Sequence, residues 1–127
     1  MFEINLPEVV AEVRAAHEAY EKALTVNNLE IMDTLFWNSE HTVRHGPSGS
    51  QYGHAQISQY RKGPPKGQRQ RLYVNLVVTT FGTDFATTNA EYTYPDSPAT
   101  GRRAQAWIRT QDGWRIASAH VSDIELG

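Results

Sequence analysis

Residues 101–122 read GRRAQAWIRTQDGWRIASAHVS, two strand-like runs joined at Thr110-Gln111-Asp112-Gly113. Asp-Gly between runs rich in Trp, Ile and Val signals a hairpin, because the tight antiparallel turn needs residues that tolerate a left-handed backbone. Period-2 alternation sets Arg103, Gln105, Trp107 and Arg109 on one face of the first strand and Ala104, Ala106, Ile108 and Thr110 on the other. On the second strand Trp114, Ile116, Ser118, His120 and Ser122 oppose Arg115, Ala117, Ala119 and Val121. Both faces carry residues suited to burial, so the hairpin needs covering twice. A curved sheet meets that need, with helices in its hollow and another sheet or subunit on its back.

Upstream of the hairpin, two further strand-like runs are expected at 69–81 and 84–94, before 102–110 and 114–122. Gly82-Thr83, residues 95–101 and Asp112-Gly113 separate them, which makes consecutive antiparallel pairing the simplest topology. The N-terminal half reads as helical. Asn5 stands as a cap, with Pro7 in the first turn and Glu8 three residues on, for a helix over 6–26 whose apolar stripe is Val9, Val13, Ala16, Tyr20, Ala23 and Leu24. Asn27-Asn28 ends it and starts a short helix over 29–35. A short strand is expected at 41–44, a turn at 46–50 and a brief helix at 54–61 with Ile57 and Tyr60 inside, stopped by Gly63-Pro64-Pro65.

A chain of 127 residues suits one domain with a real core and no internal linker. The formal charge of -2 gives no reason to expect nucleic acid, and the absence of cysteine removes disulfides, thiolate catalysis and cysteine-based zinc sites. The five histidines form neither HxxxH on a helix nor HxH on a strand, so neither a metal nor an organic cofactor is expected. No run of 18 apolar residues and no signal-peptide pattern is present, so the expectation is a cytoplasmic protein without a membrane partner.

Helix, short helix, strand, short helix and a long antiparallel meander closing in GWRIASAHVS resembles the nuclear transport factor 2-like fold, the cone-shaped α+β architecture shared with ketosteroid isomerase. The resemblance implies that the first helix closes the open side of the curved sheet over a pocket, and that homodimers form through the sheet's back. A narrower resemblance rests on FWNSEHTVRHGPSGSQYGHAQISQYR (36–61), GRRAQAWIR and GWRIASAHVS: these are similar to a small bacterial family that accompanies amidases in cyanuric acid and oxalurate catabolism. It implies a decarboxylating amidohydrolase converting 1,3-dicarboxyurea to allophanate, with its functional tyrosine and arginine falling on Tyr20 and Arg44, and a possible amidase partner.

The residues themselves are compatible with that pair. Tyr20 lies on the buried stripe of the helix that roofs the pocket, where the plain alternative is a packed aromatic with a backbone partner. An inward Arg44 needs a partner, either a small carboxylated ligand that its planar fork matches or an internal carboxylate such as Glu40 or Glu91. A cation beside a phenol favours release of its proton, which would suit Tyr20 as a donor to a departing nitrogen. Asn89, Glu91, Gln105 and Trp107 on the later strands are candidate substrate-binding groups, and Trp37 with Trp107 offers apolar walls or ordinary core. His120 faces either the pocket or the dimer interface. Ser58, Ser118 and Ser122 sit in no GxSxG elbow. Arg61-Lys62, Lys66, Arg69 and Arg71 read as a solvated basic loop or a dock for a partner enzyme. Two other readings stay open: a non-catalytic acid-binding module serving an amidase, and an isomerase or dehydratase of the ketosteroid isomerase kind, which needs a buried carboxylate in an apolar cavity.

Overall fold

The long first helix carries its apolar residues three and four apart, and that stripe faces the sheet. In the computed structural model, which describes residues 2–64 and 70–124, α1 (Pro7–Val26) buries Val9, Val13, His17, Tyr20, Ala23 and Leu24. His17 takes the place expected for Ala16 at the centre of the stripe. Asn27, in the left-handed region at φ 57°, ends α1, and the Asn28 side chain accepts from the Ile31 amide to start α2 (Leu29–Leu35). Asn5 does not cap α1: Leu6 holds that position with no side-chain bond, while the Asn5 carboxamide oxygen accepts from the Thr80 amide at 2.8 Å. The N-terminal segment is thereby stitched to the sheet.

Six strands follow, β1 (Val43–Gly46), β2 (Gly49–Tyr52), then, after α3 (His54–Arg61), β3 (Leu72–Phe81), β4 (Phe85–Tyr94), β5 (Ser97–Thr110) and β6 (Gly113–Ile124). They form one sheet in the order β2-β1-β6-β5-β4-β3. The last four pair consecutively and antiparallel as expected, but β1 joins β6 in parallel, and β2, read from sequence as part of a turn, pairs with β1 as a short hairpin. Its composition, GSQY, carries no strand signal; the pairing comes from the sheet edge that β1 offers. Of the turn expected at 95–101, only Pro95-Asp96 is a turn; β5 begins at Ser97 and pairs from there.

The concave face holds Val78 and Thr80 from β3, Ala86, Thr88, Ala90 and Tyr92 from β4, Arg103, Gln105 and Trp107 from β5, and Ile116 and Ala119 from β6. α1, α2 and Ile57 of α3 cover it. Between the pairs Ala106–Ser118 and Trp107–Ile116 the register slips by one residue, so Ala117 is a bulge and the alternation of β6 reverses there. Trp114 and Ile116 point into the hollow, then Ala119 and Val121; Ser118, His120 and Ser122 go to the back. No helix among the described residues is long and apolar enough to cross a membrane.

Candidate functional site

Beyond the core, at the end of the hollow where β6 finishes, the concave face opens into a cavity of about 240 Å3. α1 supplies Tyr20 and Leu24, β1 supplies Arg44, the turn after it Pro47 and Ser48, and α3 ends on Tyr60 and Arg61. The sheet floor adds Tyr92 and Tyr94 from β4, Arg103 from β5, and Val121 and Asp123 from β6, with Arg71 just before β3. Four guanidiniums and four phenols around so small a volume suit a compact anion better than an apolar molecule.

Arg44 occupies the middle of β1, where parallel pairing with Ala119 directs it inward. It is 6% exposed, donates from Nη1 to the Gln51 Oε1 at 2.9 Å, and lies 4.8 Å from the Tyr60 ring centroid. Gly46, two residues on, leaves the space its guanidinium fills, since a Cβ there would stand 3.0 Å from both terminal nitrogens. No carboxylate among the described residues pairs with Arg44, so the internal ion pair with Glu40 or Glu91 weighed from sequence does not form. Burial, then the Arg61 charge, lower its pKa from the ordinary guanidinium value, against the pull of Tyr20 and Tyr60. An arginine so placed is electrostatically incomplete, and an anion in the cavity would complete it.

Arg61 Nη2 donates to Tyr20 Oη at 2.7 Å. Tyr60, between the two arginines, has its hydroxyl 2.8 Å from the Ser48 hydroxyl. Behind this front, Glu21 on α1 neutralises the deeper cations: Arg103 Nη2 donates to its carboxylate at 2.6 Å and to the Tyr73 hydroxyl at 2.8 Å, and Arg71 approaches the same carboxylate at 3.7 Å. Burial opposes the Arg103 charge, yet Glu21, Tyr73 and Tyr20 together hold its pKa above the ordinary value. Burial, the largest single influence on Glu21, raises its pKa, and Arg103, the Tyr73 hydroxyl and Arg71 together outweigh it to leave that carboxyl below its usual range. At the rim, burial and the neighbouring Tyr92 and Asp123 push Tyr94 up to about 12.

Comparison with known proteins shows the family of the chain. The family model described as AtzH-like matches residues 2–126. The chain belongs to the AtzH-like family. A cystatin-like fold protein from Burkholderia xenovorans LB400 is 43% identical over the full length of both chains, with a TM-score of 0.91. A protein of unknown function from the DUF3225 family of Pectobacterium atrosepticum SCRI1043 is 41% identical over 96% of this chain and 95% of its own, also at 0.91. A nuclear transport factor 2-like superfamily protein from Salmonella enterica shares 21% identity over 94% of each chain at a TM-score of 0.73, which establishes the shared cone fold alone. No curated protein is significantly similar to the chain.

Within this AtzH-like chain, Tyr20 and Arg44 share one cavity, and the other sequence-derived candidates lie elsewhere. Asn89 and Glu91 are exposed on the back of the sheet, opposite Ala104 and Arg102, because the concave phase of β4 is carried by Ala86, Thr88, Ala90 and Tyr92. Gln105 and Trp107 do face the hollow but sit in the core: the indole donates to the Thr88 hydroxyl at 3.0 Å, which donates to Gln105 Oε1 at 3.1 Å. Trp107 is fully buried and does not line the cavity, so it belongs to the core rather than to a pocket wall. Trp37 lines a separate open groove with Asp33, His54 and Arg115 near the start of β6, which Tyr20 does not line. His120 lies on the back beside His45, their ring centroids 5.8 Å apart. Among the described residues no group of three or more histidines and carboxylates is placed to hold a metal ion.

The residues that sequence reasoning missed are Tyr60, Arg61, Arg71, Tyr92, Tyr94 and Arg103. Arg61 and Arg71, whose sequence context reads as a solvated basic loop or a dock for a partner enzyme, flank the Gly/Pro segment from opposite sides and both line the cavity. Lys66 and Arg69 of that cluster lie outside the described residues. The alternation of β5 did place Arg103 with Gln105 and Trp107, and its inward charge was the one available signal.

Proposed function

We propose that the chain is a cofactor-independent decarboxylating amidohydrolase acting on a small carboxylated urea, of the kind that takes 1,3-dicarboxyurea to allophanate. The observation that supports this most is a buried Arg44 without a carboxylate partner among the described residues, lining one small cavity with the Tyr20 hydroxyl. A volume of about 240 Å3 suits a small acid, below the range of about 300 Å3 and upward typical of drug-sized ligands. The match to the AtzH-like family adds support to this reading.

In this reading Arg44 takes the carboxylate and polarises the adjoining carbonyl. The bond between nitrogen and the terminal carboxyl carbon breaks, its electron pair stays on nitrogen, and carbon dioxide leaves. Tyr20 gives its proton to that nitrogen and regains one from water. The substrate dianion and one proton thus become the allophanate anion and carbon dioxide, which hydrates to bicarbonate. An N-carboxy group is intrinsically labile, so charge stabilisation and one proton suffice. Copies of the chain pair through the back of the sheet, and an amidase that consumes the product is a fitting partner. The isomerase reading is not favoured: the cavity is walled by guanidiniums and phenols, and its one carboxylate, Asp123, is exposed at the rim.

The test follows loss of 1,3-dicarboxyurea, generated in place by an upstream hydrolase, with glutarate binding measured by calorimetry. Glutarate replaces the two nitrogens and the carbonyl by methylenes and cannot react. Tyr20→Phe should lower kcat by about 10²–10³ with glutarate affinity within about threefold, whereas Arg44→Ala should lose both. Glutarate bound by a wild-type protein that matches the spontaneous rate would replace the enzyme with a binding module.

A further inference from the structure

We propose that Arg61 is a positioning residue for Tyr20, occupying the accepting side of the phenol oxygen so that the hydroxyl hydrogen is turned into the cavity. The inference rests on Tyr20 as the proton donor of the proposed reaction and adds the device that aims it. Arg61 Nη2 stands 2.7 Å from Tyr20 Oη. A guanidinium has only N–H groups, so the arginine donates and the tyrosine oxygen accepts. The phenol has one hydrogen left to place, and it donates it to none of the described residues. A hydroxyl that accepts from a cation is a stronger donor in turn. Arg61 therefore both turns and polarises the O–H that the departing nitrogen must meet.

The arginine is held well enough to do this. It is the last residue of α3, a helix anchored by the fully buried Ile57, by the Ser58 hydroxyl donating to the Asp33 carboxylate, and by the His54 ring 2.8 Å from the Asp33 carbonyl. Its guanidinium lies over the Tyr60 ring, 5.7 Å from the centroid, where a cation–π contact adds to its hold. Its Nε is buried with no partner among the described residues, so Arg61 is not spent on an internal ion pair. A purely structural arginine at a helix C-terminus would turn to the last carbonyls of its own helix; this one reaches across to α1.

Arg61→Met and Arg61→Lys in the full chain test it by two independent readings. With 1,3-dicarboxyurea, Arg61→Met should lose about 30-fold in kcat with KM within about threefold, and Arg61→Lys, which keeps a charge and a donor, should recover most of that loss. With tyrosine labelled at Cζ and its Tyr20 resonance assigned through Tyr20→Phe, the neutral-pH carbon shift should move in Arg61→Met and less in Arg61→Lys. An unmoved resonance, an unchanged kcat, or a tenfold loss of glutarate affinity at unchanged kcat would each overturn the proposal, the last by making Arg61 a ligand anchor. Should wild type give no turnover, the proposed reaction fails while the resonance still decides whether Arg61 holds the phenol.

Discussion

Arg44 shows what one side chain's surroundings decide. Its partners are an amide oxygen, a ring face and a second cation, none of which balances its charge. The gap left by Gly46 is part of that geometry. Gly46 has an ordinary backbone, so alanine there strains nothing in the chain, but its methyl must push the Arg44 guanidinium by a few tenths of an ångström. Gly46→Ala should therefore weaken glutarate binding about tenfold, a loss of about 1.4 kcal/mol, while the thermal midpoint stays within a degree or two; unchanged affinity would show that the fork has slack. Tyr20 lay legibly on a helical stripe, but it was the family resemblance that singled out Tyr20 and Arg44 as a pair, with the strand pattern around Arg44 only compatible with an inward side chain. Asn89 and Glu91 were misplaced because their strand alternates between small, polar and aromatic residues on both faces, so its phase cannot be read from polarity.

At the scale of the element, the β5–β6 hairpin carries the floor of the site. Its Asp-Gly turn and alternation were readable, and β5 obeys them from Arg103 to Trp107. On β6 the bulge at Ala117 reverses the alternation, sending His120 to the back and Val121 and Asp123 to the cavity. Nothing in ASAH marks that slip; it arises from the pairing with β5. Farther along, Gly101 pairs with Tyr92, whose ring lies across the glycine so closely that a Cβ would collide with it. Tyr92 is a cavity wall and 1% exposed. Gly101→Ala should cost about 1–3 kcal/mol by overpacking and weaken glutarate binding as the ring shifts; a calorimetric unfolding scan and a titration check both, and a wild-type midpoint would mean the ring has room elsewhere.

For the molecule as a whole, α1 is clamped to the sheet by Glu21 with Arg103 and by His17 against Tyr73, ring centroids 5.9 Å apart. Burial and the Arg103 charge lower the His17 pKa to about 4. A free imidazole takes up its proton near pH 6.5, so between about 6.5 and 4 the unfolded chain binds a proton that the folded chain refuses. Stability is thus full above that window and falls as pH drops through it, with a limiting slope of about 1.4 kcal/mol per pH unit. Glu21, held below its ordinary range, adds a second loss as pH falls through its lowered value. Urea unfolding across pH 4–7 should show this, and His17→Phe should flatten the window; a slope that survives the substitution would move the proton elsewhere. On the back of the sheet Val74 and Val77 are exposed, beside a groove lined by Asn75, Asn89, Glu91 and Ser122. Light scattering should give twice the chain mass for wild type and the monomer mass for Val77→Glu, and a monomeric wild type would remove the proposed dimer.

The sequence by itself determined the three helices and the four-strand meander: a stripe at helical spacing, an asparagine pair between helices, and four runs separated by Gly and Asp-Gly turns are local patterns that local energetics enforce. It also set Tyr20 on the buried stripe of the first helix. Only the tertiary structure decided the site's company. Tyr60 and Arg61 end a helix whose own periodicity is weak, Arg71 precedes a strand, and Tyr92, Arg103 and Asp123 come from three strands far apart in the chain. They meet because sheet register, a parallel β1–β6 pairing and one bulge bring them to the same end of the hollow. Register is a property of pairs of strands, and no single strand's sequence contains it.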